Sequence, residues 1–582
     1  MSGPRVDQEK GVQEEVRVQV SSDAGEEKAP AGEGEGERPL AIHGLEDVEE
    51  PIDPRISLDS RADTVELDEG YAHQLGPHRH HHHPPGYEPD EKPASEKTKA
   101  ADDDVDELEK GEHEVLYVEF DHGDRRDPIN WPKPRKWIIT VTACYFTALS
   151  GMKSSTASTF SMGFPSMERD LHSTPFQAAL GLSMYSLGFG VVPLATASLS
   201  EEFGRQPLYV VCAIGFMLMN VMLAAARNVQ TVIVGRFLSG AFGSTGATMV
   251  GGTVADIWAP AERGVPMSMY AFSAIASTGV GPVIAGWIEM RLGWRWIQWL
   301  HVIFGGLCVA LILLFLRETR SAVLLTRLAK KMRKETGDTR YRARAEDERA
   351  RLRTLIYISC TRPLYLLITE PVVLSFSVWI SFAWGIMYTM FESIAPIFKT
   401  LHHFNQGEIG LTFLGMFIGS LLGLCTNFYQ ERLYKRYVKQ RGPEARLYTA
   451  CGAAVMFPAG MFIYAWCSLP HVPWIALVIG VTVFMWATFI MYLAVFTYLA
   501  DCYGPFASSA LAGQSLLRNL MGTAFPLFTT AMYARLTYKW ASTVFALIAV
   551  VMIPIPYVLM FYGPKIRAKS RFASQIVHVH KD

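Results

Sequence analysis

From Trp137 onward the chain alternates long apolar runs with short polar breaks. A bilayer core about 30 Å thick takes roughly 20 helical residues at 1.5 Å each. Runs of that size predict spans at 137–161, 176–198, 208–226, 229–254, 266–288, 296–316, 371–397, 409–430, 447–467, 473–499, 506–530 and 540–562. Lipid offers backbone N–H and C=O groups no partner, so runs this long must be helices that bond within themselves. The polar stretch 317–370 divides the twelve spans six and six. The expected fold is therefore all-α: twelve transmembrane helices in two pseudo-symmetric six-helix bundles, 137–316 and 371–563. A cytosolic linker at 317–370 joins them, and a short tail follows at 564–582.

Charge changes the reading of the remainder. Residues 1–115 hold 32 Asp and Glu against 12 Lys and Arg, a net of −20, whereas the rest holds 24 against 42, or +18. A segment this acidic, rich in Pro and Gly and without apolar periodicity, predicts a disordered cytosolic tail, with 116–136 as a pre-membrane segment. Loop charge orients the bundle. With both termini inside, the cytosolic connections carry 22 Lys and Arg and the external ones 7, so the positive-inside rule places the termini in the cytosol. The run His78 to Pro85 (HRHHHHPP) has imidazoles suited to a transition metal, but it reads as a biased flexible tract. Eight scattered cysteines without a CxxC pair read as packing residues, and neither a metal nor a cofactor site is expected.

The break LSEEFGRQPLY, residues 199–209, joins spans 2 and 3. Gly204 and Pro207 supply the reversal. Glu201 sits at the C-terminal end of span 2, the wrong end for its helix dipole, and calls for compensation by Arg205 or by another helix N-terminus. Glu201, Gly204 and Arg205 are expected to form a latch between two moving bodies. In span 5, Gly279, Gly281, Ala285 and Gly286 present a small face for close helix approach, and Pro282 bends the span.

The 2–3 break resembles the loop signature of the major facilitator superfamily, matching at Leu199, Gly204 and Arg205, with Glu201 in the acidic place. It departs at Ala197, Glu202 and Gln206. VGRFLSGAFGSTG in span 4 is similar to a second family motif through Arg236, Gly240 and Gly243, with Ser239 in place of Gln. STGVGPVIAGW in span 5 resembles the hinge-and-seal motif of the antiporter branches at Gly281, Pro282 and Gly286. Residues 127–565 resemble fungal twelve-span drug:H+ antiporters, through DPINWPKPRKW, GWRWIQWLHVIFGG and GPEARLY among other stretches. The resemblance implies a proton-coupled exporter of small amphipathic compounds in the plasma membrane, its partners being substrate, protons and lipid, without nucleic acid, working as a monomer.

Ionisable groups at membrane depth are costly and mark functional candidates. Arg236 in span 4, Arg518 near the middle of span 11 and Lys153 in span 1 are the cations. Glu392 is the carboxylate inside a span. With Trp384 and Tyr388 it forms an i, i+4, i+8 stripe on span 7. Glu392, Arg236 and Arg518 are assigned to coupling and transport, and Lys153, Trp384 and Tyr388 to a substrate cavity. The excess of buried cations points to substrates with an anionic group. No G-x-x-x-x-G-K-[ST] appears, against an ATP-driven pump, and no H-E-x-x-H, against an intramembrane zinc protease. The rival reading is an importer, exporter or uniporter of an organic acid or other nutrient on the same fold.

Overall fold

The computed structural model describes residues 115–121, 123–154, 160, 162–259, 262–347, 352–570 and 572. The tail before Val115, the histidine tract within it and the C-terminal residues beyond 572 lie outside the described residues. The body is an all-α membrane protein. Membrane-length helices run over Lys133–Ser154, Pro175–Phe203, Arg205–Ala224, Val229–Ile257, Gly264–Leu292 and Trp294–Phe315 as spans 1 to 6. Spans 7 to 10 are Pro371–His402, Leu414–Arg441, Tyr448–Cys467 and Trp474–Tyr503.

Spans 11 and 12 lie in one helical stretch, Ala507–Met552, interrupted at Thr537, which is non-helical at φ 66°, ψ 163°. Phe525 and Phe545 stack with ring centroids 5.8 Å apart. Twenty residues of straight helix would part them by about 30 Å, so the chain reverses at Thr537. Span 11 is thus 507–536, and span 12 begins at 538 and continues through Pro554–Ala568. Twelve membrane-length helices result among the described residues. Spans 1 and 4 are the more polar pair, and the other spans are apolar enough in length and composition to cross a membrane.

Local chemistry sets the starts. Thr174 and Gln177 form a reciprocal capping box with Pro175 at the first helical position of span 2. Asn228 caps span 4 by accepting from Thr231 N at 2.8 Å. Asn405 and Glu408 do the same for the short helix Gln406–Thr412, which leads into span 8. These side chains satisfy N–H groups that the first turn leaves unpaired. Several boundaries shift by a few residues, and two differences are larger. Span 8 continues to Arg441, because its last turns are charged but helix-forming, and the 1–2 connection contains a helix, Phe164–Leu171.

The halves meet where side chains are small. A Cβ on Gly279 would lie 2.7 Å from Phe417 N and 2.9 Å from Phe413 O, and one on Gly286 would strike the Gln406 carbonyl. The small face of span 5 therefore seals against the start of span 8, with Gly281 and Pro282 buried. Spans 2 and 11 approach similarly, with Ser186 Oγ donating to Asn519 O at 3.0 Å. Without a hydrophobic force between helices in lipid, such close van der Waals packing and interhelical hydrogen bonds hold the bundle.

The linker packs against the pre-membrane segment. Leu116–Tyr117 pairs in parallel with Tyr341–Arg342. Helix Ser321–Thr336 covers that pair, and Val118, Ala329 and Ala343 form its small core. Arg333 clamps Glu346 through both guanidinium nitrogens at 2.9 and 2.8 Å. The pre-membrane segment and the linker thus build one platform outside the spans. Helix Leu352–Thr369 then leads to span 7 and ties to span 11 through Arg362 Nε and Ser509 Oγ at 2.8 Å.

Candidate functional site

At the 2–3 joint, Gly204 adopts φ 97°, ψ 165°, a conformation open essentially to glycine alone. This turn delivers Arg205 as the first residue of span 3 with its backbone N–H aimed at Glu318, just beyond span 6. Glu318 accepts from Arg205 N at 3.0 Å and Gln206 N at 3.3 Å, and its Oε1 also takes Thr319 N and Arg320 N at 3.0 Å. A carboxylate at a helix N-terminus is favoured by both the free donors and the dipole.

The Arg205 side chain is buried and donates to Asp256 Oδ2 and to Ser200 Oγ, both at 3.0 Å. Gly252 leaves room for that guanidinium, because a Cβ there would lie 2.6 Å from Cζ. Arg320 adds a longer contact to Asp256 at 3.7 Å. Four helix ends of one half are thereby tied together. Glu201, the expected partner, is exposed and makes none of these bonds. Asp256 takes its role because it hangs from the end of span 4, directly beneath Arg205. Every bond named here joins parts of the N-terminal half or ties them to the start of the linker.

The C-terminal half repeats the device. Arg446, in the 8–9 joint, donates to Asp501 Oδ2 at 3.0 Å and Glu431 Oε1 at 2.6 Å and stacks 3.4 Å from the Tyr434 ring centroid. Burial works against its charge, but Asp501 and Glu431 outweigh burial and hold the guanidinium above its ordinary range. Asp501 ends span 10 as Asp256 ends span 4, which is the pseudo-repeat in chemical form. Glu444 accepts from Arg567, at the end of span 12, at 2.7 Å.

Within the membrane the predicted residues gather around Arg236, Arg518 and Glu392, and Tyr388 lies within electrostatic reach of Arg236. Arg236 is fully buried; its Nε donates to Gly181 O at 3.2 Å and its guanidinium lies 4.4 Å from the Phe160 ring and 4.9 Å from the Tyr185 ring. It fastens span 4 to span 2. Arg518 lies 4.4 Å from the Trp384 ring and 5.2 Å from the Tyr492 ring, and its Nη2 donates to Ser515 Oγ at 3.2 Å. Its Nε is buried with no partner among the described residues.

Glu392 is half-buried. Oε1 accepts from Thr530 Oγ1 at 2.8 Å, and Oε2 has no hydrogen-bond partner among the described residues. The stripe on span 7 therefore follows span 11: Trp384 meets Arg518, Tyr388 meets Gly522, and Glu392 meets Thr530. Lys153 stands on the last turn of span 1, and its side chain lies outside the described residues.

Sequence reasoning missed Glu318, Tyr185, Tyr492 and Glu289. Glu289, at the outer end of span 5, accepts from Ser166 Oγ. Its position in the last helical turn was the available signal, along with the placement of Glu318 directly after an apolar span. Nothing along the chain distinguishes Tyr185 or Tyr492 from packing aromatics.

Comparison with known proteins agrees with this geometry. The Major Facilitator Superfamily matches residues 141–505. The Major facilitator superfamily multidrug transporter mdrA of Aspergillus fumigatus is 34% identical over 80% of this chain and 77% of its own length. Efflux pump atB of Aspergillus terreus is 37% identical over 67% of this chain and 84% of its own. The xylose transporter XylE from E. coli, in a partially occluded inward open conformation, shares the fold at a TM-score of 0.51 and 14% identity, covering 73% of this chain and 99% of that one. With twelve spans, an Arg–Asp clamp repeated in both halves and a match across well over half its length, the chain belongs to the major facilitator superfamily.

Proposed function

We propose that this protein is a secondary transporter that exports small amphipathic organic compounds across the plasma membrane in exchange for protons. Alternating access rocks spans 1–6 against spans 7–12 around a midplane site. The observation that carries this reading is the Arg518 cage. A guanidinium flanked by Trp384 and Tyr492 at the centre of the bundle keeps one buried donor unmet. Aromatic faces suit an apolar ring system, and the spare N–H suits a carboxylate, phenolate or carbonyl oxygen on the same molecule. The names of these relatives, multidrug transporter and efflux pump, support the outward direction.

Glu392 is the group assigned to proton exchange. One oxygen is held by Thr530 and the other is unmet, so protonation adds a donor without breaking a hydrogen bond. Arg236, fixed between span 2 and the rings of Phe160 and Tyr185, holds the N-terminal wall of the pathway. The protein works as a monomer with both termini in the cytosol. Proteoliposomes without ATP test the reading: an imposed pH gradient should drive uphill substrate movement toward the face opposite the cytosolic platform. Accumulation in the reverse direction would establish the importer, and gradient-independent equilibration the uniporter.

A further inference from the structure

A cleft of about 650 Å³ opens on the cytosolic face between the pre-membrane segment and helix Ser321–Thr336. Arg125, Arg126, Arg135, Arg317, Arg327 and Lys331 line it. Six cations in one depression repel one another and need a reason. Glu318 is the acid among the lining residues, and its carboxylate is committed to the N–H groups of Arg205, Gln206, Thr319 and Arg320. Arg126 is neutralised by Asp124 at 2.7 Å. Arg125, Arg317 and Arg327 are exposed and have no ion-pair partner among the described residues. The cleft also has apolar walls, from Phe120, Leu324 and Leu328.

The chain itself supplies a complement. The fourteen residues before Val115 read ADDDVDELEKGEHE, with eight carboxylates against one lysine. Val105 and Leu108 interrupt the acids at a spacing of three. Leu116 and Val118 are anchored to the Arg340 and Arg342 carbonyls at 3.0 and 2.8 Å, and Phe120 already lines the cleft. Six residues separate Glu109 from that anchor, a reach of up to about 20 Å at ~3.4 Å per residue. A tether that short gives an effective concentration on the order of millimolar, so even a weak site fills.

We propose that this cleft is the docking site for the chain's own acidic segment, residues 102–109. Its carboxylates pair with Arg125, Arg317, Arg327 and Lys331, while Val105 and Leu108 meet the Leu324 and Leu328 wall. Docked there, the segment covers Glu318 and Gln206 and so sits directly over the clamp at the 2–3 joint. The apolar wall favours a peptide over a phosphorylated lipid headgroup, which has no side chain to place on it.

Zero-length carbodiimide coupling of the full chain in phosphatidylcholine nanodiscs tests this. Lys331 Nζ lies 3.6 Å from Glu335 Oε1 in its own helix, which makes that link an internal control. The expected result is an isopeptide link from Lys331 to a carboxyl within 102–109. Its yield should fall at least fivefold in the Arg317→Glu/Arg327→Glu variant and in 0.5 M salt, with the Lys331–Glu335 link changing less than twofold. A tail variant that leaves the membrane body untouched, Asp102→Asn/Asp103→Asn/Asp104→Asn/Asp106→Asn, should raise acetylation of Lys331 at least threefold relative to Lys334. The proposal is overturned if the control link forms without any link to 102–109, or if the link survives the charge reversal unchanged. It is equally overturned if Lys331 is protected from acetylation only when the discs contain phosphatidylinositol bisphosphate.

Discussion

Substituting Gly204 with alanine strikes the 2–3 joint at two points. Backbone at φ 97°, ψ 165° is closed to residues with a Cβ, at about 1–3 kcal/mol. The new methyl would also overlap the Glu318 carboxylate. That carboxylate is the end of a flexible side chain and moves aside, but it then abandons the N–H groups of Arg205 and Gln206. Hydrogen bonds to a charged group contribute about 1.5–3 kcal/mol each. With partial replacement by water the combined cost comes to about 4 kcal/mol. On a folding unit of this size that corresponds to a fall in Tm on the order of 10 °C. The assay is thermal unfolding of the purified protein, with Gly204→Ala measured in the native chain and in a Glu318→Ala background. Where Glu318 is already absent, strain alone remains and the shift should drop by about half. A shift below 2 °C, or one of equal size in both backgrounds, would refute the account of Glu318 as the group displaced.

The remaining expectations concern charge. Arg205→Ala should leave the protein inserted but lower turnover at least tenfold, because Asp256 keeps only the longer Arg320 contact; normal turnover in proteoliposomes would count against the clamp. Arg518→Gln should weaken binding of anionic substrates tenfold or more while changing neutral ones less than threefold, read by equilibrium binding. Glu392→Gln should remove the pH dependence of flux and keep substrate affinity within about threefold; retained proton-driven accumulation would move coupling elsewhere. On the platform, Arg333 holds the Glu346 carboxyl below its ordinary 4.5, mainly through the paired hydrogen bonds. A folded-state value below the unfolded one means stabilisation that is complete above about 4.5 and lost as the pH falls through the lower folded value. Amide protection at Leu116 and Val118, corrected for intrinsic exchange, should hold from pH 7 to 5 and fall below pH 4, and Arg333→Ala should lose it at neutral pH.

Much of this protein follows from the order of its residues alone. Each span must satisfy its own backbone in lipid, so a run of roughly 20 apolar residues decides its fate without reference to the rest of the chain. Thus span number, six-and-six division and even the reversal between spans 11 and 12 were legible, the last from the polar break Arg535–Lys539 near Thr537. The turn at Gly204 and the small face of span 5 were legible for the same reason, since both are local demands on backbone space. Partners were not. Arg205 finds Asp256, 51 residues away, and Glu318, 113 away; Glu201, four residues off, looked the better choice and points to solvent. Strand pairing of Leu116 with Tyr341 was invisible, because two residues carry no periodicity. The stripe of Trp384, Tyr388 and Glu392 was visible as a stripe, but only the packing of span 7 against span 11 assigned Arg518, Gly522 and Thr530 to its three positions. Membrane insertion is a property of segments and can be read along the chain, whereas a site between helices depends on rotations and crossings that no single segment encodes.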